Sequence, residues 1–280
     1  MSGHCAATNG PAIDLQERGY PSPGDPQGVA RGGPLTVSGG VVEQHPVAGA
    51  RLVTVAHGTR TAAGNDVARE LTGAAASRLR IAGVTSYVEL SEPLLTDVLA
   101  SSPTPTVVLP LLLSTGFHLR QDLPAAVAGA GGPVVLGRSL GPHRLVAAAQ
   151  VARLAEAGVE PGSARLVLVA AGSSDPVATR DLARAADLLG RAWGSPVEVA
   201  TLTALGRRPA EVVRPGDVVS PYLLAPGHFA ERSRRESLAA GAAVVADVLG
   251  PHPLLVDLIC RRARALMSGA RLAAATRAIA

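Results

Sequence analysis

The 280-residue chain contains no lysine, so all 26 of its basic side chains are arginine. Without lysine the segment AHGTR cannot be a phosphate loop, which also needs a GxxxxGK pattern. Aromatic residues make up only 2% against 47% hydrophobic content, so the core must be built from Ala, Val and Leu. Cysteine is nearly absent: Cys5 and Cys260 stand alone, with no CxxC spacing. A disulfide framework, a zinc ribbon and an iron–sulfur cluster are thereby disfavoured, and a reducing cytoplasm fits. No apolar run approaches the roughly 18 residues that span a bilayer. No basic segment followed by an apolar stretch opens the chain, so no signal peptide is expected. The net charge is +4, but the arginines are dispersed and not interleaved with aromatics, which speaks against nucleic-acid binding. An acidic small-molecule substrate suits the same balance.

Residues 1–48 are rich in Gly and Pro, lack periodicity, and read as a disordered tail. From Arg51 onward, short apolar runs alternate with helical patterns. The strands are RLVTVA, TSYVEL, TVVLPLLL and PVVLG. Helices are expected over Asn65 to Ala82, from Ser91 as N-cap, and from Pro142 to Ala157. A second unit repeats the order with strands ARLVLVA, PVEVATL, DVVSPYLL and AAVVADV. Its helices fall near 175–190, 207–213, 231–240 and 251–268. Strands that are apolar throughout and separated by helices predict parallel sheets covered on both faces. The expected fold class is α/β, with two tandem doubly wound parallel-sheet domains from an internal duplication. The first domain spans 49–160, the second 161–268, and a tail occupies 269–280. In such sheets ligands bind beyond the carboxyl ends of the strands.

Two loops at those ends carry histidine in the first repeat only. VTVAHGTR holds His57, where the second copy, VLVAAGSSDP, has Ala171. VVLPLLLSTGFHLRQDLP holds His118, where VVSPYLLAPGHFAERS places Phe229 opposite and His228 one residue before. Glu89 and Glu92 follow the second strand. Two imidazoles and a carboxylate suit a divalent first-row metal, and neutral imidazole is also the usual general base near neutral pH. Gly58 and Gly116 lie beside or near the histidines, with Gly172 and Gly227 as their counterparts. A turn needing positive φ explains the second pair; in the first copy the missing side chain would also admit a flat ligand. Thr59 and Ser114 can hydrogen-bond an anion, and Arg60 and Arg120 can pair with ligand carboxylates. The GSSD turn reads as an N-cap, His143 as a helix start, and His252 as a surface residue.

The AHGTR strand end, the P-x(5)-G-x-H-x-R-x-D-x-P loop and the second-copy PYLLAPGHFAER loop together resemble the sirohydrochlorin chelatases, the CbiX/SirB-type members of the class II chelatases. The resemblance covers about residues 50–265, duplication included. It implies a lyase that inserts Fe²⁺ or Co²⁺ into sirohydrochlorin, a macrocycle with eight carboxylates, on the way to sirohaem or cobalamin. It further implies that His57 and His118 bind the incoming metal and help remove the pyrrole protons, with Glu89 assisting. Gly58, Thr59, Arg60, Ser114, Gly116 and Arg120 would then contact the tetrapyrrole. No permanently bound cofactor is expected, since the metal is itself a substrate. A membrane or nucleic-acid partner is not expected either, and the internal duplication makes a monomer sufficient. A non-catalytic tetrapyrrole or metal carrier is the alternative.

Overall fold

Each of two four-stranded sheets is wholly parallel, and each is wound the same way. A computed structural model describes residues 49–116, 121–203 and 205–279. The expected tail over 1–48 lies outside them, as do His118 and Arg120. The first sheet holds β1 (Arg51–Ala56), β2 (Ala82–Tyr87), β3 (Thr106–Pro110) and β4 (Val134–Leu136), in the order β2-β1-β3-β4. The second holds β5 (Leu166–Ala170), β6 (Val197–Thr201), β7 (Val218–Tyr222) and β8 (Val244–Val245), in the order β6-β5-β7-β8. The helices of the first repeat are α1 (Ala62–Leu79), α2 (Leu95–Ala100), α3 (Asp122–Ala128) and α4 (Arg144–Glu156). Those of the second are α5 (Pro176–Trp193), α6 (Pro209–Val212), α7 (His228–Ala239) and α8 (Pro253–Ile279). The α/β class with duplicated parallel sheets is as the sequence predicts.

Alternation along the strands divides the interior into three layers, because successive strand side chains point to opposite faces. Leu52 and Ala56 of β1 join Leu166, Leu168 and Ala170 of β5 in one central core shared by both sheets. Val53 and Val55 face an outer core under α2 and α3, with Leu99 and Leu123. Val167 and Val169 face another, with Val212 and Val219. The repeats also exchange their last helices. The α4 helix packs on α5 and β7, while α8 packs on α1 and β3.

These exchanged helices are anchored by equivalent residues 109 positions apart. His143 Nδ1 accepts the N–H of Leu145 at 3.1 Å, and His252 Nδ1 that of Leu254 at 3.2 Å. The Arg153 guanidinium donates to the Leu249 carbonyl at 2.9 and 3.1 Å. Arg262 donates in turn to the carbonyls of Ser139 and Leu140. His143 is thus a helix start, as expected. His252, expected to be a surface residue, does the same work in the second copy.

Several boundaries differ from expectation for local reasons. The α1 helix begins at Ala62, after extended Thr61, and stops where Arg80 turns left-handed at φ 57°. This frees Ala82 to open β2, three residues before the expected start. Ser91 is not an N-cap: α2 follows Leu94, and the Ser91 hydroxyl is used elsewhere, as described below. The short α3 lies in what the sequence presents as loop, disguised by Pro124 in its first turn. The last helix, expected near 251–268, continues to Ile279. Among the described residues no helix is long and apolar enough to cross a membrane.

Candidate metal and macrocycle site

The carboxyl ends of the central strands from both sheets open into one cleft of about 1050 Å³, at the upper end of the roughly 300–1,000 Å³ usual for small-molecule sites. His57, Gly58, Thr59 and Arg60 line it at the end of β1, and Ser114 lines it after β3. From the second repeat come Ala171 and Ser173 after β5, Tyr222 at the end of β7, and His228 at the start of α7.

His57 is held by backbone. Its carbonyl accepts the N–H of Glu89 at 3.1 Å, and the Ala56 carbonyl accepts that of Val88 at 2.9 Å. Gly58 follows at φ 97°, and a Cβ there would stand 1.8 Å from the Glu89 carbonyl oxygen. The glycine is therefore needed against neighbouring backbone, whatever ligand lies in the cleft. The second repeat keeps this bracket: the Thr203 N–H meets the Ala171 carbonyl at 2.8 Å, and a Cβ on Gly172 would approach the Thr203 carbonyl to 2.2 Å.

The bracket carries the acidic side chain to the imidazole. Glu89 Oε1 lies 3.5 Å from His57 Nε2, with both side chains about half exposed. The carboxylate beside His57 is thus that of Glu89 rather than Glu92. The separation is long for a hydrogen bond. Two donors each about 2.1 Å from a tetrahedral ion stand about 3.4 Å apart, so this spacing lets one small cation touch both. Among the described residues no group of three or more His, Cys, Asp or Glu is placed to hold a metal.

Asn65 and Ser91, which the sequence presents only as helix-start residues, fix the loop behind His57. Asn65 Oδ1 accepts the Thr59 N–H at 3.2 Å, while its Nδ2 donates to the Thr59 carbonyl and to Ser91 Oγ, both at 2.8 Å. The Ser91 hydroxyl donates to the same Thr59 carbonyl at 2.9 Å. An asparagine in the first turn of a helix is a weak signal, since it competes with the helix for backbone bonds. Thr59 Oγ1 contacts Thr61 Oγ1 at 3.1 Å and accepts the Thr61 N–H at 3.2 Å, so the hydroxyl caps its own loop.

The second loop is braced from across the cleft. Asp181 of α5 accepts the Thr115 N–H at 2.6 Å. The Tyr222 hydroxyl donates to the Leu113 carbonyl at 2.8 Å. Burial, with the Asp181 carboxylate adding, pushes this phenol far above its ordinary value, so it remains a neutral donor. Nothing in the sequence pairs Asp181 with Thr115. Gly116 ends the described part of this loop, two residues before His118. From the second repeat, Gly227 closes on the first: a Cβ there would lie 3.4 Å from Thr61 Oγ1. His228 follows it, edge-on to Phe229 at a ring separation of 5.5 Å. The GSSD turn caps α5 as expected, with Asp175 Oδ1 accepting the Val177 N–H at 2.9 Å.

Comparison with known proteins places this arrangement. The chain is 28% identical over 237 residues to a sirohydrochlorin ferrochelatase of Bacillus subtilis (strain 168), covering 76% of this chain and 90% of that one. A sirohydrochlorin ferrochelatase of Priestia megaterium is 27% identical over 241 residues, 78% of this chain and 90% of the relative. The solved structure of SirB from Bacillus subtilis with Fe³⁺ superposes with a TM-score of 0.66 at 28% identity, covering 79% of this chain and 97% of SirB. The CbiX family model matches twice, over residues 51–157 and 165–266. With both repeats matched, and homology to sirohydrochlorin ferrochelatases along most of its length, the chain belongs to the CbiX family.

Proposed function

We propose that the protein inserts a divalent metal, Fe²⁺ or Co²⁺, into sirohydrochlorin, in sirohaem or cobalamin synthesis in the cytoplasm. The observation that carries this reading is the His57–Glu89 pair, spaced for one cation and set beside a cleft lined by both repeats. The SirB structure with Fe³⁺ supports it from the side of the relatives.

Metal insertion requires stripping water from the ion, removing two pyrrole protons, and presenting the nitrogen lone pairs to the metal. His57 and His118 receive the ion and take the protons, Glu89 offsets the charge that accumulates, and a positioned base of this kind supplies about 10²–10⁴-fold. Arg60 and Arg120 meet carboxylates on the rim of the ring. Gly58, Thr59 and Ser114, which line the cleft, contact the ring, and Gly116 does so from the loop beyond Ser114. The polar chemistry belongs to the first repeat, and the second closes the cleft, so one chain suffices.

The test follows the absorbance of sirohydrochlorin with Fe²⁺, Co²⁺ or Ni²⁺ under anaerobic conditions, with and without protein. Metallation faster than the protein-free control is expected with Fe²⁺ or Co²⁺. Binding of the tetrapyrrole without any acceleration would make the protein a carrier instead.

A further inference from the structure

Four large apolar side chains stand well exposed among the described residues: Leu90 at 51%, Leu205 at 53%, Phe229 at 39% and Leu238 at 45%. The first three all line the cleft, though they come from distant parts of both repeats. A single exposed leucine is ordinary, because much of any protein surface is apolar. Three converging on one hollow, in a chain with so few aromatic residues, is not.

Backbone contacts hold both leucines out. Leu90 sits at φ 62°, a left-handed conformation unfavourable for a residue with a Cβ. Its neighbours fix it there, through the Glu89 N–H on the His57 carbonyl and the Ser91 hydroxyl on the Thr59 carbonyl. The bonds that place the His57 loop therefore also aim Leu90. In the second repeat the Leu205 carbonyl accepts the Thr201 hydroxyl at 2.8 Å. Gly206 then turns the chain at φ 106°. Both leucines lie just past the N–H that brackets His57 or Ala171, Leu90 one residue after Glu89 and Leu205 two residues after Thr203. Phe229 is braced edge-on by His228.

We infer that Leu90 and Leu205, with Phe229, grip the hydrocarbon of the bound macrocycle and set its plane against the His57–Glu89 pair. This rests on the chelatase reading. A tetrapyrrole has an apolar conjugated body and a charged rim. Arginines recognise the rim but cannot fix the ring's depth or tilt, whereas apolar side chains in the cleft can. Water released from these leucines on binding contributes the affinity. A protein partner would need an open apolar patch, but these side chains share a concave site with His57 and Arg60.

The experiment is an anaerobic fluorescence titration of metal-free sirohydrochlorin into the wild type and Leu90→Ala, Leu205→Ala and double variants. Leu90→Met and Leu205→Met serve as conservative variants, and Leu238→Ala as an exposed leucine outside the cleft. Each alanine variant is expected to raise Kd about tenfold, as loss of most of one leucine contact implies. The double variant should raise it further, while both methionine variants and Leu238→Ala stay near wild type. Melting temperatures should be unchanged, because the truncated side chains are exposed. Unchanged Kd in both single variants beside a wild type that binds overturns the grip and leaves the chelatase reading standing. A wild type that binds no sirohydrochlorin overturns that reading and the grip with it.

Discussion

The Asp181 carboxylate accepts the backbone N–H of Thr115 at 2.6 Å, so a helix of the second repeat sets the loop that leads toward His118 in the first. The repeat that lacks counterparts of His57 and His118 thus still shapes the candidate site. A charged acceptor strengthens such a bond, and removing it leaves a partly buried N–H unpaired at a cost of about 1–3 kcal/mol. Asp181→Ala should therefore lower kcat for metallation by about tenfold or more, with a smaller loss in Asp181→Asn, whose amide oxygen can still accept. Steady-state kinetics beside a melting curve separate the loop from the fold. A drop in melting temperature without a change in kcat would show that the bond is only structural.

His57 and Glu89 are each about half exposed, so their replacement should spare the fold and remove the chemistry. His57→Ala and His118→Ala are expected to abolish chelation, and Glu89→Gln to slow it by about 10²-fold or more, within the range for a positioned acid or base. Circular dichroism should be unchanged for all three. Wild-type rates in both histidine variants would end the assignment.

Gly58 and Gly172 answer to the same geometry in the two repeats, at φ 97° and 92° with a neighbouring carbonyl in the space a Cβ would take. Alanine at either position must push that backbone away, and a destabilisation of about 1–3 kcal/mol or more is expected from strain of this kind. The functional outcome should differ. Gly58→Ala displaces Glu89 from His57 and should lower kcat in the folded fraction. Gly172→Ala displaces Thr203, in a repeat without the histidine, and should leave kcat closer to wild type. Denaturant titration with single-turnover metallation distinguishes the two.

The duplicated sheets and the loop positions of His57 and Glu89 were legible in the sequence, because continuous apolar strands and their carboxyl ends are patterns of local spacing. Contacts between distant residues were not. Asn65 read as the start of a helix, yet its amide ties the His57 loop to Ser91. Ser91 read as an N-cap, but the left-handed turn at Leu90 carries the chain past it before α2 begins. No periodicity could show that α4 and α8 change places, since the apolar pattern of a helix does not say which sheet it will cover. The pairing of Asp181 with Thr115 depends on how the two repeats face each other. Local spacing shows no partner for His252 either, although its GPH segment repeats the one at His143.

That repeated segment leads to a pH dependence of folding. His143 and His252 each use Nδ1 to accept a helix N–H, which only the neutral imidazole can do, since both nitrogens of the protonated ring are donors. Burial lowers both pKa values from 6.5, and Arg262 adds to the shift at His143 as Arg153 does at His252. The unfolded chain therefore takes up protons near pH 6.5 that the native chain still refuses. By linkage the stability these histidines contribute is complete above that pH and is lost as the pH falls below it toward the native values. Melting temperature should thus decline from pH 7 to pH 5. A His143→Asn, His252→Asn double variant keeps cap acceptors, each worth about 0.5–2 kcal/mol, and should flatten that decline while holding its stability at pH 7. An equally steep decline in the double variant would move the origin of the acid sensitivity away from the exchanged helices.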